Sequence, residues 1–353
     1  MRVMVTGYLG YIGSILTGML ADRGHDVVGL DTGYFSDCKL FDPDDRVIQA
    51  INLDVREVDE GDLDGIDGIV HLAALSNDPM GQVDPKLTDE INHLGTVRLA
   101  RAARDAGVRR FVLSSSCSMY GASDTSAPLT EEAPFNPVSA YALSKVDGER
   151  EVSNLAAEGF SPVFLRNATA YGVSPRIRFD LVLNEFVGLA VTIKKILMKS
   201  DGTPWRPLVH IADISRACIA ALEAPVEAVH NESFNIGMEN QNFQMKEVAE
   251  AVCEHIPGCE VVYTGEHAGD NRTYRVSFEK AASKLPGFEP QWTLEKGIIE
   301  LRDALCTVDG LRDAIVDRRY TRLHQLQHLM SEGFVDSNLR PSGALNAATQ
   351  GLK

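Results

Sequence analysis

The sequence lacks the features that mark membrane, secreted and nucleic-acid-binding proteins. It has no apolar run long enough to span a bilayer and no signal-peptide pattern, so we expect a cytoplasmic protein with no membrane partner. Its six cysteines include no Cys-x-x-Cys pair, which indicates free thiols in a reducing compartment. Positive charge is scarce: 34 Lys and Arg stand against 50 Asp and Glu, and the net charge of −16 argues against a nucleic-acid partner.

The chain is nevertheless ordinary for a folded globular protein. Hydrophobic residues make up 44% of its 353 residues and charged residues 24%. The length favours one large domain with a smaller lobe. The acidic balance does not exclude an anionic small ligand, because a few arginines and helix ends can form a local positive pocket.

The first residues of the chain predict a strand, a glycine turn and a helix. Residues 1–6 are apolar and β-branched, and Gly7, Gly10 and Gly13 follow at spacings of three and three. Such a turn lets the backbone touch a pyrophosphate and lets helix and strand pack closely. The N-terminus of the helix predicted over residues 11–23 offers free N–H groups to phosphates. We therefore predict a dinucleotide site here.

A carboxylate ends the second predicted strand, at the sequence separation from the glycine turn that is expected for a ribose contact. Residues 26–30 form that strand and Asp31 ends it. A carboxylate there accepts both ribose hydroxyls and repels a 2′-phosphate, which favours NAD over NADP. The alternative is that Asp31 is a solvated turn residue.

Strands and helices then alternate through the first half of the chain. The alternation predicts right-handed βαβ crossovers and a doubly wound, Rossmann-type parallel sheet with helices on both faces. Ligands in such sheets bind at the carboxyl ends of the strands, where the glycine turn, Asp31, Ala73 and Ser116 would lie. Further strands are predicted at residues 47–51, 68–74, 109–113 and 159–165, and helices at 87–106 and 179–191.

A tyrosine and a lysine four residues apart carry the catalytic prediction. Tyr141 and Lys145 share one face of a helix predicted to continue to about residue 158. An ammonium beside a phenol favours the phenolate, which makes tyrosine usable as a base. Ser116, at the end of the preceding strand, could hold a substrate oxygen. Alone, this spacing also fits an ordinary surface pair.

With these motifs together, the chain resembles the extended short-chain dehydrogenase/reductase family, in the branch that acts on nucleotide sugars. The resemblance covers about residues 1–305. It implies that Tyr141 is the acid/base, that Lys145 lowers its pKa and binds the nicotinamide ribose, and that Ser116 orients the reacting hydroxyl. The resemblance is carried by Gly7, Gly10, Gly13, Asp31, Asp54-Val55, residues 71–74, Asn92, Ser116, Tyr141, Lys145, Leu165-Arg166, Tyr171-Gly172, residues 205–213 and residues 234–237.

The resemblance also implies two sets of ligand contacts, and no metal site. The NAD contacts would be Gly7, Leu9, Gly10, Tyr11, Ile12, Gly13, Asp31, Asp54, Val55, Leu72, Ala73, Ala74, Asn92, Ser114, Tyr141 and Lys145. The contacts to a nucleotide-diphosphate sugar would be Ser116, Cys117, Ser118, Tyr141, Thr169, Asn184, Arg206 and Arg272. Asn184 could equally be a solvated helix residue. Either arginine alone could be a surface charge, but an arginine fork suits phosphate oxygens.

Departures from the family pattern narrow the expected reaction. The 4,6-dehydratases of the family carry Asp and Glu directly after the serine, where this chain has Cys117 and Ser118, so dehydration is disfavoured. The 4-epimerases need only the serine, tyrosine and lysine. A 3,5-epimerase of the family uses a cysteine one position later, so we interpret Cys117 as a small buried residue. Thr169 and Val173 replace the family's asparagine and proline, so the resemblance defines the contact to the substrate phosphate less clearly.

We predict three regions along the chain. Residues 1–170 would form the NAD-binding domain, with residues 206–237 returning to its sheet. Residues 171–205 and 238–305 would form the substrate lobe, and residues 306–353 a C-terminal helix and tail. The helix is predicted over residues 311–330, and residues from 336 on as a loose tail. His324 and His328 have no third metal ligand near them in sequence.

The sequence thus predicts an NAD-dependent nucleotide-sugar epimerase that inverts C4 through a transient 4-keto sugar. Alternatives within the family are a ketoreductase, a decarboxylase or a 3,5-epimerase. A non-catalytic dinucleotide sensor is disfavoured because both Tyr141 and Lys145 are present. The family usually forms dimers through the helices here placed at about 87–106 and 139–158, so we expect a homodimer.

Overall fold

The computed structural model describes residues 1–44, 46–76, 78–265 and 272–342. A seven-stranded sheet, parallel throughout, dominates it, with strand order β3-β2-β1-β4-β5-β6-β10. The order reverses direction between β1 and β4, which is where a doubly wound sheet opens a crevice for ligands. The strands are β1 (Arg2–Thr6), β2 (Asp26–Asp31), β3 (Gln49–Asn52), β4 (Gly68–His71), β5 (Arg110–Ser116), β6 (Ser161–Asn167) and β10 (Glu232–Ile236).

Helices cover both faces of the sheet and bury its apolar strands. On one face, α1 and α7 pack into one core cluster with the inward side chains of β1, β5 and β6. On the other face, α4 and the end of α5 pack into a second cluster with the alternate side chains. This confirms the predicted doubly wound fold. The helices are α1 (Gly13–Asp22), α2 (Asp78–Val83), α3 (Pro85–Asp89), α4 (Gly95–Asp105), α5 (Ala140–Ser153), α7 (Ile211–Glu223) and α8 (Val226–Val229).

A smaller lobe has its own core and two short sheets. One sheet orders β11-β9-β7, and the other pairs β12 with β8. The third core cluster joins its helices to the cavity wall through Tyr11. The elements are β7 (Thr169–Tyr171), α6 (Val182–Ile193), β8 (Lys195–Met198), β9 (Trp205–His210), β11 (Asn242–Gln244), α9 (Met245–His255), β12 (Glu260–Tyr263) and α11 (Leu294–Leu305). Helix α10 (Glu279–Lys284) packs instead on β10 of the large sheet, in the first core cluster.

The chain rejoins the large sheet later than predicted. Residues 205–210, expected near the sheet, instead pair with β7 and β11. Helix α7 then packs on the sheet, and only β10 joins it, beside β6. Strand β9 lies between the two cores, because Leu208 belongs to the third cluster and Val209 to the first.

One of two predicted helices is continuous and the other is broken. The helix predicted over 87–106 runs without a gap through α3, a π-helical turn at Glu90–Leu94, and α4. The helix predicted over 311–330 is α12 (Leu311–Val316), a 3₁₀ turn at Arg318–Tyr320, and α13 (Arg322–Ser331). Asp317 makes this break: its backbone is extended and its carboxylate accepts the N–H of Arg319.

The predicted loose tail is packed as far as residue 342. Leu339 is buried, and its carbonyl accepts hydrogen bonds from Tyr34 and Arg56. Local polarity misled the prediction, because these contacts reach about 300 positions back along the chain. Residues 343–353 lie outside the described residues. Within the described part, no helix is long and apolar enough to cross a membrane.

Candidate active site

A cavity of about 560 Å³ opens at the carboxyl ends of β1, β2, β4 and β5, where the sheet changes direction. It runs from Asp31 past the glycine turn to Tyr141 and on to the small lobe. Most predicted ligand contacts lie on its wall: Gly7, Gly10, Tyr11, Ile12, Gly13, Asp31, Asp54, Val55, Leu72, Ala73, Ala74, Ser114, Ser116, Ser118, Tyr141, Lys145, Thr169, Arg206 and Arg272.

The glycine turn forms a cradle that only glycine permits. Gly7 has φ of +75°, and a Cβ there would lie 2.9 Å from the Ala73 nitrogen. A Cβ on Gly13 would lie 2.3 Å from the Gly7 oxygen, and one on Gly10 2.9 Å from the same atom. Helix α1 starts at Gly13 with no side-chain cap, so its first N–H groups point toward the turn. The cradle therefore fits the diphosphate of a dinucleotide.

Asp31 is fixed at the far end of this cradle. Its carboxylate accepts the N–H of Leu9 at 3.1 Å and the N–H of Gly33 at 2.8 Å. Burial raises the pKa of this carboxyl, whereas the two N–H groups and the Arg176 guanidinium oppose the rise. Two oxygens with about four acceptor sites leave capacity for the hydroxyls of a ribose. Leu9 thus positions Asp31 through its backbone.

The catalytic candidates lie together beside the end of β5. Lys145 Nζ donates to the Ser114 carbonyl at 2.8 Å and lies 5.8 Å from the centre of the Tyr141 ring. The Ser116 side chain interacts with the Tyr141 phenol and lowers the phenol's pKa. Ser139 caps α5 by accepting the N–H of Ala142 at 3.1 Å, so the helix presents Tyr141 from its first turn.

The electrostatics of Tyr141 differ from the prediction. Burial is the largest influence and raises its pKa to about 12, and Asp78 adds to the rise. The cations that lower it in the protein are Arg178 and Arg272, whereas Lys145 was expected to do so. Lys145 is itself buried, and desolvation lowers its pKa to about 8, against the attraction of Glu149. At that pKa the ammonium is still largely protonated at pH 7, and it donates its hydrogen bond to the Ser114 carbonyl.

Sequence reasoning gave no role to Arg178 or Asp78. Arg178 is buried in the cavity wall, forks onto Asp180 at 2.9 and 3.0 Å, and donates to Ser76 at 3.0 Å. Asp78 pairs with Arg272 across the cavity. The Arg-x-Asp spacing was the available signal for Arg178; the pairing of Asp78 needed the fold, because 194 positions separate it from Arg272.

The substrate side of the cavity combines cations with unpaired hydroxyl and amide oxygens. Arg206 stacks over the Tyr274 ring at 5.7 Å and donates to the Arg272 carbonyl, so the two arginines stand together. Among the described residues, Ser118 Oγ and Asn167 Oδ1 are buried without a hydrogen-bond partner. Because both residues line the cavity, the wall suits a polar ligand.

Four predicted contacts do not reach the cavity wall, and each has a structural position instead. Leu9 has its side chain in the core. Asn92 accepts the Leu75 N–H at 2.7 Å and donates to the Leu75 carbonyl at 3.0 Å, which holds the loop after β4. Cys117 is fully buried, donates to the Arg166 carbonyl at 3.1 Å, and burial raises its pKa. Asn184 accepts the Gly172 N–H at 3.1 Å and donates to Tyr11 at 3.0 Å.

The family model for the NAD dependent epimerase/dehydratase family matches residues 3–237. The chain belongs to this family. The UDP-glucose 4-epimerase of Corynebacterium glutamicum is 32% identical over 333 residues, covering 89% of this chain and 97% of the relative. The UDP-glucose 4-epimerase of Mycolicibacterium smegmatis is 31% identical over 316 residues, and the match covers 84% of this chain and 96% of that enzyme.

Solved structures of the family agree with the fold and the cofactor. MoeE5 in complex with UDP-glucuronic acid and NAD has a TM-score of 0.75 at 28% identity and covers 86% of this chain and 98% of its own. The UDP-glucose 4-epimerase of Thermotoga maritima with UDP-glucose has a TM-score of 0.73 at 25% identity, with the same coverage. The predicted family, fold and cofactor are confirmed: the protein is an extended short-chain dehydrogenase/reductase of the epimerase/dehydratase branch, and its cofactor is NAD.

Proposed function

We propose that the protein is a UDP-sugar 4-epimerase that works through a transient 4-keto sugar. The observation that carries the proposal is the cluster of Ser116, Tyr141 and Lys145 on the wall of a cavity that also holds the glycine cradle. Neither residue after Ser116 is a carboxylic acid, so the chain lacks the acid pair of a 4,6-dehydratase at this place.

In this proposal NAD, when bound, supplies the acceptor and donor of hydride. Tyr141 takes the proton of the sugar hydroxyl and returns it after the sugar has turned over. Ser116, which interacts with the phenol, would also hydrogen-bond the sugar hydroxyl and keep its oxygen in place. Lys145 stands between the phenol and the Ser114 carbonyl, where it can also hold the nicotinamide ribose. One acid/base group, Tyr141, can therefore serve both the oxidation and the reduction of the sugar, which an isomerase needs.

The residues on the substrate side of the cavity support a sugar substrate that is linked to a nucleotide diphosphate. Arg206 and Arg272 stand together on the wall, and Arg272 also faces Asp78. Two guanidinium groups match the charge and geometry of a diphosphate. Related structures hold UDP-glucose and UDP-glucuronic acid, which favours UDP over the other bases.

The remaining parts of the proposal concern assembly and location. We propose a cytoplasmic homodimer formed through α4 and α5. In support, Leu94 at the start of α4 and Leu143 on α5 are each 50% exposed, although both are large apolar side chains. Helix α5 packs on both α3 and α4, so the two leucines lie on helices of one packed group.

The test is a panel of UDP-, dTDP-, GDP- and CDP-sugars followed by NMR, with no added cofactor. The proposal predicts that UDP-glucose and UDP-galactose, or a related UDP-sugar pair, interconvert without net formation of NADH. Stoichiometric NADH, evolution of CO₂ or consumption of an added reduced cofactor would contradict it and would point to a decarboxylase or ketoreductase.

A further inference from the structure

The C-terminal segment, residues 311–342, bridges the two lobes beside the cofactor end of the cavity. On the small-lobe side the Tyr320 carbonyl accepts the N–H of Phe179 at 2.9 Å. On the sheet side Tyr34, which lines the cavity near Asp31, donates to the Leu339 carbonyl. The segment lies beyond the residues that the family model matches. It therefore adds to the wall of the cavity, as Arg272 and Tyr274 do from the small lobe.

One residue of this segment reaches the cavity itself. Arg322, the first residue of α13, is 2% exposed and lies on the cavity wall. Its guanidinium stacks over the Phe35 ring at 4.4 Å and donates to the carbonyls of Arg319 at 3.3 Å and Arg176 at 2.9 Å. Burial, together with Arg178 and Arg176, lowers its pKa to about 10, so it stays protonated at neutral pH.

The neighbours of Arg322 locate it along the cavity. Arg176 donates to Ser14 at 2.8 Å, directly behind the glycine turn, and its charge acts on Asp31. Arg178 acts on Tyr141 at the other end. Arg322 therefore lies between the adenosine-ribose end and the catalytic end. A dinucleotide that joins these two ends must pass its diphosphate through this stretch.

Charge also favours an anion at this position. Three guanidinium groups, those of Arg176, Arg178 and Arg322, stand together in a buried region, where Asp180 attracts Arg178 and Arg322 and Asp31 attracts Arg176. So many buried guanidinium groups at one place favour a bound anion beside them. Arginine is the side chain best suited to bind two phosphate oxygens at once.

We propose that Arg322 is a cofactor-binding residue whose guanidinium contacts the diphosphate of NAD, so that the C-terminal segment helps to retain the cofactor. This inference rests on NAD binding and is independent of which sugar or carbon the enzyme acts on. It can therefore fail while the proposed reaction stands, and the reverse is also true.

The experiment compares Arg322→Met with Arg319→Met in the full chain. Arg319 lies three positions earlier and forks onto Asp317 away from the cavity, so it is the matched control. Competition against the fluorescence of bound NADH measures the affinity for ADP-ribose, which has the diphosphate, and for adenosine, which lacks it. We expect Arg322→Met to bind ADP-ribose about ten- to a hundredfold more weakly and adenosine unchanged, with less NAD per chain after gel filtration.

Two results would overturn the proposal. One is unchanged affinity for ADP-ribose in Arg322→Met; the other is an equal loss for adenosine, which would show that the residue only orders the wall. If Arg322→Met does not fold, Arg322→Lys gives the same decision. A loss confined to ADP-ribose supports a phosphate contact, because lysine keeps the charge but not the fork. An equal loss for both ligands, or none, contradicts it.

Discussion

The pKa of Tyr141 depends on the opposing charges around it more than on Lys145. Burial and Asp78 raise the pKa of the phenol to about 12, while Ser116, Arg178 and Arg272 act in the other direction. A base with so high a pKa needs further positive charge at the moment of reaction, and the oxidised nicotinamide carries such a charge.

Removing the phenol oxygen tests this role directly. We expect Tyr141→Phe to lower kcat by about 10²- to 10⁴-fold, the range typical of a lost acid/base group. NAD content should remain near one per chain, because the cradle and Asp31 are untouched. The matched control is Tyr34→Phe, which removes a phenol at the cofactor end of the same cavity. Near wild-type turnover in Tyr141→Phe would contradict the role.

His71 makes the stability of the fold depend on pH. Its Nδ1 lies 2.7 Å from Thr6 Oγ1 and its Nε2 2.8 Å from Thr96 Oγ1. The Thr96 hydroxyl already donates to the Asn92 carbonyl, so Nε2 carries the proton and the ring is neutral. Burial, aided by Lys145, lowers the pKa of His71 to about 3.

The sign of the effect follows from proton uptake. Below about pH 6.5 the unfolded chain protonates this histidine and the folded chain does not, so stability falls as pH falls. We expect His71 to contribute a loss of about 2 kcal/mol between pH 7 and pH 5. Urea unfolding at both pH values checks this against His71→Gln, which cannot titrate. An equal pH dependence in the two proteins would contradict it.

Local spacing was enough to select residues that the fold brings together. Gly7, Asp31, Tyr141 and Lys145 were selected from short motifs, and all four lie on the wall of one cavity, while their roles stay predictions. The burial of Asn184 could not be predicted, because a buried amide that holds a loop has the same local sequence as one that faces a ligand or solvent.

At the scale of elements, the glycine turn is the part least tolerant of change. We expect Gly13→Ala to weaken NAD binding more than about tenfold and to destabilise the fold by about 1–3 kcal/mol, because its Cβ would lie 2.3 Å from the Gly7 oxygen. Gly148→Ala in α5 is the control: its nearest neighbour would be 3.7 Å away, and alanine favours a helix. Calorimetric unfolding and NADH titration measure both. Equal stability and equal NADH affinity in the two variants would contradict the role of the glycine turn in NAD binding.

The helix predicted over residues 87–106 is present, and the prediction missed only its π turn. The structure places that turn at Glu90–Leu94. The turn carries Asn92, whose side chain makes two hydrogen bonds with Leu75. Such local widening commonly occurs where a helix serves a site. Periodicity alone did not reveal it, because the helix on each side of the turn keeps an ordinary helical spacing.

At the scale of the molecule, the two exposed leucines predict an assembly. We expect the Leu94→Glu and Leu143→Glu double variant to be monomeric in light scattering, where the wild type is a dimer, because charges would replace apolar side chains in the interface. Val316→Glu is the control, since Val316 is 81% exposed on a different surface. A monomeric wild type, or a double variant that stays dimeric, would contradict this assignment.

The large sheet could be predicted from sequence, and the outer lobe could not. Strands β1, β4 and β5 at the centre of the sheet are short, apolar and followed by helices, so their arrangement follows from general rules. The small lobe depends on pairings between distant segments, such as β9 with both β7 and β11. The C-terminal segment likewise depends on contacts with Tyr34 and Arg56, which nothing in its local sequence indicates.

The most direct test of the central claim is to incubate the protein with UDP-galactose in D₂O and follow the proton NMR spectrum. Inversion at C4 by transfer of the sugar's own hydride predicts that UDP-glucose forms and that its C4 position keeps protium. Deuterium at C3 or C5 of the product would show inversion through an enol at another carbon. That result, or the absence of any epimer with the other UDP-sugars as well, would contradict the account.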